Sequence, residues 1–361
     1  MPETTLDTDN RRQLCRALDH DDKLLNVEGA RLQLTKGEAG HKQIALARDR
    51  HMEKRAQLYL SDRLGMDKLL QRARDRGAPF SSKQLPHHYV ARLLYASDPT
   101  IEQNSFMLIP QIYGVQPEGS EKFRAIEIID NAEAAGSQII FPAIHRLCDL
   151  DTRRFVATDL MPVHLELYTL WGWCHELGHW TGPFRIAPER DPQLRITQSF
   201  IDHLGEADTD SLAAELTPEI PEIAVLMILT RIFSWSRRGF VNNPESGLTN
   251  SDNDAWVGTA MFRRALASGG IALDGHGKVH LDVPSLCQMT RGLHRDLQVL
   301  GQHLMGECAA VQNALVCDWM RSEVECTAGQ FRLPELQRHL YEQLGDLPEY
   351  PHVRAPLSDA E

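Results

Sequence analysis

The twelve residues Trp171-Gly-Trp-Cys-His-Glu-Leu-Gly-His-Trp-Thr-Gly182 place two histidines and a glutamate inside an otherwise apolar run. His175 and His179 are one helical turn apart, so on an α-helix both can direct a ring nitrogen at a single point about 2 Å from each. Glu176 lies at the edge of that face, where its carboxylate can take a proton from a water molecule at the metal without binding the metal itself. The spacing therefore predicts a helical zinc site with Glu176 as general base.

The same pattern also arises by chance, and the alternative is a buried helix that happens to carry histidines. A catalytic zinc of this kind needs a third protein ligand and a carboxylate that holds one histidine ring. Glu206 and Asp210 lie one helical turn apart in a later run, far enough from His179 for a loop and an antiparallel return. We expect Glu206 to be the third ligand and Asp210 to accept a hydrogen bond from a histidine. The alternative for both acids is a solvated helix face.

Composition limits the class of protein. The 361 residues, 42% of them hydrophobic, suit a soluble globular chain with one large domain or two ordinary ones. A formal charge of −12 provides no basic surface for nucleic acid. The N-terminus lacks the features of a secretory signal and no window is long and apolar enough to span a membrane, so we expect a cytoplasmic protein without a membrane partner. Seven cysteines without a CxxC pair indicate reduced thiols.

Periodicity predicts a mainly α fold with a small β component, in which a helical metal-binding core follows a helical N-terminal region. Helices are predicted over about 6–98 and at 122–136, extended chain at 106–115 and a strand at 137–143. Further helices are predicted at about 192–216, 219–239, 252–269 and 284–327, with another after Pro334 and a hairpin around Asp274-Gly275. We divide the chain into a mostly helical region with a few strands, 1–155, and a helical zinc-binding domain, 156–361.

The two motifs together resemble the gluzincin branch of zinc metallopeptidases. The arrangement is most similar to the dipeptidyl-peptidase III family and its shorter bacterial relatives, which share an HELxGH-like helix, a second helix with Glu-Glu-x-x-Ala-Asp, and a glycine pair followed by a short hairpin. This chain has HELGHWTG at 175–182, GEADTD at 205–210 and the glycine pair at 269–270. The resemblance covers roughly residues 165–325. It implies a zincin-like helical core with one zinc ion per chain, bound by His175, His179 and Glu206.

The chain departs from the family pattern in two places. Gly205 stands where the family usually has a glutamate, and the segment 251–270 lacks the histidine that stabilises the tetrahedral intermediate in the family. Losing such a donor costs about 3 kcal/mol of transition-state stabilisation. Five residues could take its place, although each also suits a structural or surface role: Tyr168, Tyr113, Arg231, Arg291 and His294.

The motifs favour a zinc-dependent hydrolase of gluzincin type that acts on a peptide or amide-like C–N bond. The missing histidine keeps a second hypothesis open, a metallopeptidase-derived zinc enzyme that acts on a small molecule in a biosynthetic pathway. A third is a non-catalytic zinc-containing binding protein, although a three-ligand set with an open fourth position is not typical of structural zinc. We expect a peptide or small-molecule partner, and no sequence feature indicates an oligomeric state.

Overall fold

The computed structural model describes residues 24–26, 44–77, 87–96, 107–108, 124–185, 191–240 and 253–353. These residues form a mainly helical fold with a small β component, which confirms the predicted fold class. Within the same residues, none of the helices combines the length and apolar character of a membrane span.

The helices, numbered in chain order, occupy most of the described chain. They are α1 (Arg50–Ser61), α2 (Met66–Asp75), α3 (Ile129–Ala135), α4 (Phe141–Leu147), α5 (Leu150–Phe155), α6 (His164–Gly178), α7 (Gln198–Leu216), α8 (Pro221–Thr230), α9 (Asn253–Ala267), α10 (Val283–Leu304), α11 (Ala309–Glu323) and α12 (Glu335–Glu342). Wider π-helical turns at Gly136–Ile140, Val156–Leu160 and Arg231–Trp235 continue α3, α5 and α8.

The strands are β1 (Leu24–Asn26), β2 (Ile44–Arg48), β3 (His87–Ala96), β4 (Met107–Leu108), β5 (Arg124–Ile128), β6 (Ile271–Leu273), β7 (Val279–Leu281), β8 (Cys326–Thr327) and β9 (Gln330–Phe331). The first five form one sheet in the order β1-β2-β3-β5-β4, in which β3 and β5 are parallel and the other neighbours antiparallel. The predicted hairpin around Asp274 is confirmed as β6 and β7.

Three secondary-structure predictions were wrong. Within the region 6–98, α1 and α2 are helical as predicted, but 44–48 and 87–96 are neighbouring strands. The segment 122–136 contains strand β5 before helix α3, and the apolar run at 137–143 continues the helix instead of forming a strand. Short apolar runs are compatible with either structure, and here pairing between segments distant in sequence decided the outcome.

The apolar core is shared by both halves of the chain. One cluster of buried side chains includes Leu60 and Leu147 from the first half and Leu177 and Leu297 from the second. The division into residues 1–155 and 156–361 stays a prediction.

Helix α6 lies at the centre of this core because it is apolar on nearly all sides. Twelve of its fifteen residues are buried, which is typical of a helix surrounded by other elements. It packs against α7 on one side, against β3 and β5 of the sheet on another, and also against α1 and α8. Because α6 carries His175 and Glu176 and ends beside His179, the site is held by a rigid, fully packed element.

Candidate metal centre

Helices α6 and α7 bring His175, His179 and Glu206 together. One potential ligand atom from each lies within 4.8 Å of the other two. The Nε2 atom of His175 is 3.5 Å from Oε2 of Glu206, and Nε2 of His179 is 3.7 Å from Oε1 of the same carboxylate. Two imidazole nitrogens and one carboxylate oxygen therefore surround a common point.

A glycine allows the two helices to come this close. A Cβ atom built on Gly178 would lie 2.9 Å from Cα and Cβ of Thr209 on α7, closer than side-chain packing permits. Thr209 in turn places its hydroxyl 3.0 Å from Nδ1 of His175 and donates a hydrogen bond to the carbonyl of Glu206. Gly178 and Thr209 thus set the distance between the helices, a role that was not predicted from sequence.

Asp210 orients His175 from the side away from Glu206. Its Oδ1 lies 2.8 Å from Nδ1 of His175 and accepts a second hydrogen bond from the indole of Trp171 at 2.9 Å. Asp210 is fully buried. Although burial acts to raise the pKa of Asp210, Arg231 and His175 outweigh it and hold the pKa at about 2. The carboxylate is therefore charged, as a group that fixes a ligand histidine through its N–H should be.

Arg231 is a fully buried cation that binds three carboxylates. Its guanidinium donates to Oε2 of Glu206 at 2.9 Å, to Asp210 and to Asp254. The guanidinium also lies over the ring of Trp235, 4.2 Å from the ring centre. Arg231 thus offsets the negative charge that Glu206, Asp210 and Asp254 concentrate in the protein interior.

Glu176 has the surroundings of a general base. It is 2% exposed, and its Oε2 accepts no hydrogen bond from the described residues. Burial raises the pKa of Glu176 to about 7, against the lowering influence of His175, while Glu206 adds to the rise. A buried carboxylate with a free oxygen beside the donor set is available to a water molecule or a substrate.

Comparisons with known proteins give a fold but no sequence family. No protein-family model matches the chain, and no curated protein matches it. Two solved structures are similar. Dipeptidyl-peptidase III from Caldithrix abyssi matches with a TM-score of 0.58 and 11% sequence identity, over 86% of this chain and 56% of that one. Dipeptidyl-peptidase III from Corallococcus sp. strain EGB matches with a TM-score of 0.57 and 14% sequence identity, over 89% of this chain and 57% of that one.

The chain has a dipeptidyl-peptidase III-like fold. This finding confirms the fold that the sequence resemblance implied. The chain spans a little over half the length of these two solved structures.

The donor set is well suited to the zinc ion that the resemblance implies. Two imidazoles and one carboxylate are the ligands of catalytic zinc sites with an open position. All three come from α6, its end and α7, so the donors are already held together, and Asp210 fixes one ring. The two histidine rings differ in how they are held. Asp210 fixes the ring of His175, whereas Nδ1 of His179 has no hydrogen-bond partner among the described residues.

The remaining predicted residues occupy other surroundings. Tyr168 is buried at 4% exposure and packs edge-on against Trp171, with ring centres 4.9 Å apart. His294, on α10, is buried and lies 2.9 Å from Asp208, two residues beyond Glu206. Arg291 is half-buried on the same helix. Tyr113 lies outside the described residues.

Sequence reasoning missed the roles of Trp171, Thr209 and Asp254 in this site, and it did not predict that Arg231 is buried. Trp171 could have been found, because it precedes His175 by one helical turn and therefore reaches the same carboxylate. Asp254 and Arg231 come from segments distant in sequence, and no local pattern connects them to either motif.

Proposed function

We propose that this protein is a zinc-dependent hydrolase of gluzincin type, with one zinc ion per chain held by His175, His179 and Glu206. The observation that carries the proposal is the convergence of these three donors within 4.8 Å, beside a buried glutamate with a free oxygen. The dipeptidyl-peptidase III-like fold supports it at the level of architecture.

Each residue has a distinct part in the proposed reaction. A bound zinc ion would polarise the substrate carbonyl and lower the pKa of the attacking water. Glu176 accepts the proton that the water loses as its oxygen bonds to the carbonyl carbon, and later delivers that proton to the leaving nitrogen as the C–N bond breaks. Asp210 holds the His175 ring, so that the ligand keeps one orientation throughout.

The substrate is a peptide or another amide-like compound. A second candidate, a small molecule transformed in a biosynthetic pathway, is favoured by the surroundings of the possible oxyanion donors. Among the described residues, Arg231 is committed to three carboxylates and His294 is paired with Asp208. Neither is free to replace the histidine that is missing from the family position. A cytoplasmic location and the absence of nucleic-acid and membrane partners stay predictions from the sequence.

The decisive experiment combines metal analysis with peptidase assays. Protein purified without added metal should contain about one zinc per chain, and dipeptidyl and aminopeptidase substrates should be turned over. Glu176→Gln should abolish turnover while zinc remains bound. Glu166→Gln is the matched control, because Glu166 is another buried glutamate of α6 but pairs with Arg55.

Three results would point elsewhere. The absence of metal in the wild-type protein contradicts the proposal as a whole. Bound zinc without turnover of any peptide substrate favours the small-molecule enzyme. A Glu176→Gln variant that keeps every measurable property, together with unfolding of His179→Ala, favours a non-catalytic zinc protein.

A further inference from the structure

The guanidinium of Arg231 links the metal site to a helix that carries none of the ligands. Its three nitrogens each have their own carboxylate: Nε binds Asp210, Nη2 binds Glu206 and Nη1 binds Asp254. Asp254 lies in the first turn of α9, whereas the ligands come from α6, its end and α7. An arginine presents its N–H groups in a planar, rigid fork, so fixing two of its nitrogens determines the direction of the third.

Helix α9 also fixes the backbone of Arg231. A Cβ atom on Gly258 would lie 2.4 Å from the carbonyl oxygen of Arg231, so only a glycine permits this approach. Asp254 and Gly258 are one turn apart and therefore lie on the same face of α9. One helix face thus holds both the side chain and the main chain of Arg231, at the start of a π-helical turn.

The two oxygens of Glu206 have different surroundings as a result. Oε2 accepts the hydrogen bond from Arg231 at 2.9 Å and lies 3.5 Å from Nε2 of His175, while Oε1 lies 3.7 Å from Nε2 of His179. A carboxylate that is not held in this way can rotate and bind a metal through one oxygen or through both. The bond from Arg231 restricts this rotation and keeps the carboxylate facing both histidines.

We propose that Asp254 and Arg231 are a positioning pair that holds the Glu206 carboxylate in one orientation towards His175 and His179, and in this way sets how Glu206 would bind the metal. This proposal rests on the zinc site put forward above, but not on the substrate or on peptidase activity. Arg231 and Asp254 act through Glu206 and do not touch the reacting atoms.

The test uses Asp254→Asn, because the Asp254 side chain is 30% exposed and tolerates substitution better than the buried Arg231. Two quantities are measured on the full chain: zinc affinity, by competition with a chelator, and the visible absorption spectrum after replacement of zinc by cobalt(II). We expect zinc affinity to fall by about 10- to 100-fold, the usual cost of removing a group that orients a ligand. The cobalt bands should weaken, because a carboxylate that is free to rotate can bind through both oxygens, and cobalt(II) with more ligands absorbs less strongly in the visible range.

The matched control is Asp296→Asn. Asp296 pairs with Arg264, which also belongs to α9, so the variant removes an equivalent ion pair at a distance from the ligands. Zinc affinity and cobalt spectrum should both equal those of the wild-type protein. Asp254→Glu retains the negative charge and should recover most of the zinc affinity, whereas a purely structural loss would not be rescued in this way.

The possible failures are distinguishable. If the wild-type protein binds zinc and Asp254→Asn has the same affinity and the same cobalt spectrum, the positioning pair is refuted and the zinc site stands. If Asp254→Asn does not fold, Arg231→Lys carries the test, because lysine keeps the positive charge but lacks the planar fork. A wild-type zinc affinity and cobalt spectrum in that variant refute the proposal. If the wild-type protein binds no metal, both proposals fall.

Discussion

Helix α6 has two polar faces that differ sharply in charge. Towards α7, His175 meets Asp210, which in turn is held by Arg231. Towards the sheet, Thr169 donates a hydrogen bond to Glu127 of β5 at 3.3 Å, and Nε2 of His88 on β3 lies 3.4 Å from the same carboxyl group. Both faces therefore bury a carboxyl group beside a histidine.

The protonation states of the two pairs are opposite. Towards α7, burial acts to lower the pKa of His175, but Glu206 and Asp210 outweigh it and raise the pKa to about 9. Towards the sheet, burial raises the pKa of Glu127 to about 8 and lowers the pKa of His88 to about 4. In the absence of a metal ion the first pair is charged near pH 7 and the second is neutral, whereas a bound metal would require the neutral form of the His175 ring.

Arg231 accounts for much of the difference in protonation between the two pairs. Burying charge is unfavourable unless other charges and hydrogen bonds compensate for it. On the α7 side a buried guanidinium offsets the carboxylates, whereas on the sheet side the neighbours of Glu127 among the described residues include Thr169, His88 and Tyr168, none of which is a cation near pH 7. A buried histidine beside a carboxyl group is therefore not in itself a functional site, and a second histidine and a compensating cation distinguish the metal centre.

The largest expected effect is on metal binding. His179→Ala removes one of three protein ligands, and we expect zinc affinity to fall by about 1000-fold or more, because the remaining donors cannot complete the site. His88→Ala, on the other face of α6, should leave zinc affinity unchanged. Chelator competition on both variants measures the two affinities. Equal losses in the two variants would contradict the distinction between the faces.

The sequence predicts the metal face better than the sheet face, for a physical reason. His175 with His179 and Glu206 with Asp210 are pairs one helical turn apart, so each pair is visible in a few consecutive residues. The meeting of His88 with Glu127 depends on parallel pairing of β3 and β5, which joins segments far apart in sequence. Non-local pairing leaves no local pattern, and the segment 87–96 was predicted to be helical.

The network behind the ligands was invisible for the same reason. Arg231 was one of the five residues considered for the role of the missing histidine. Its actual partners depend on how α8, α9 and α7 pack together, and Asp254 belongs to neither motif. Packing also determines that Gly178 faces Thr209, whereas Gly292, another helical glycine, faces open space.

The next largest expected effect concerns Glu127 on the sheet face, which makes the free energy of unfolding depend on pH. The pKa of Glu127 rises from 4.5 in a model compound to about 8 in the fold, so the unfolded chain loses this proton at lower pH than the folded one. Its contribution to stability is complete below pH 4.5 and is lost as the pH rises towards 8, at up to about 1.4 kcal/mol per pH unit. Glu127→Gln keeps the shape of the neutral acid and removes this loss.

The free energy of unfolding of Glu127→Gln should therefore increase relative to wild type between pH 5 and pH 8, by about 3–4 kcal/mol in total. Urea unfolding at several pH values measures it. The control is Thr169→Val, which removes the hydrogen bond to Glu127 but keeps the titrating group. It should lower stability while retaining the wild-type pH slope. A constant difference between Glu127→Gln and wild type across this range would show that Glu127 is charged in the fold, like Asp210 on the other face.

The smallest effect tests how closely α6 and α7 pack on the metal face. An alanine at Gly178 places a Cβ atom 2.9 Å from the backbone of Thr209, so the helices must separate. Such overpacking costs about 1–3 kcal/mol, and the better helix propensity of alanine returns about 1 kcal/mol of that.

Gly292 on α10 is the matched control, because nothing lies within 4 Å of its Cβ position. Gly292→Ala should raise the free energy of unfolding by about 0.5–1 kcal/mol, and Gly178→Ala should lower it by up to about 2 kcal/mol. If both variants were stabilised, the contact between α6 and α7 would be loose, and the fixed distance between the ligand helices would have to come from the charge network around Arg231 alone.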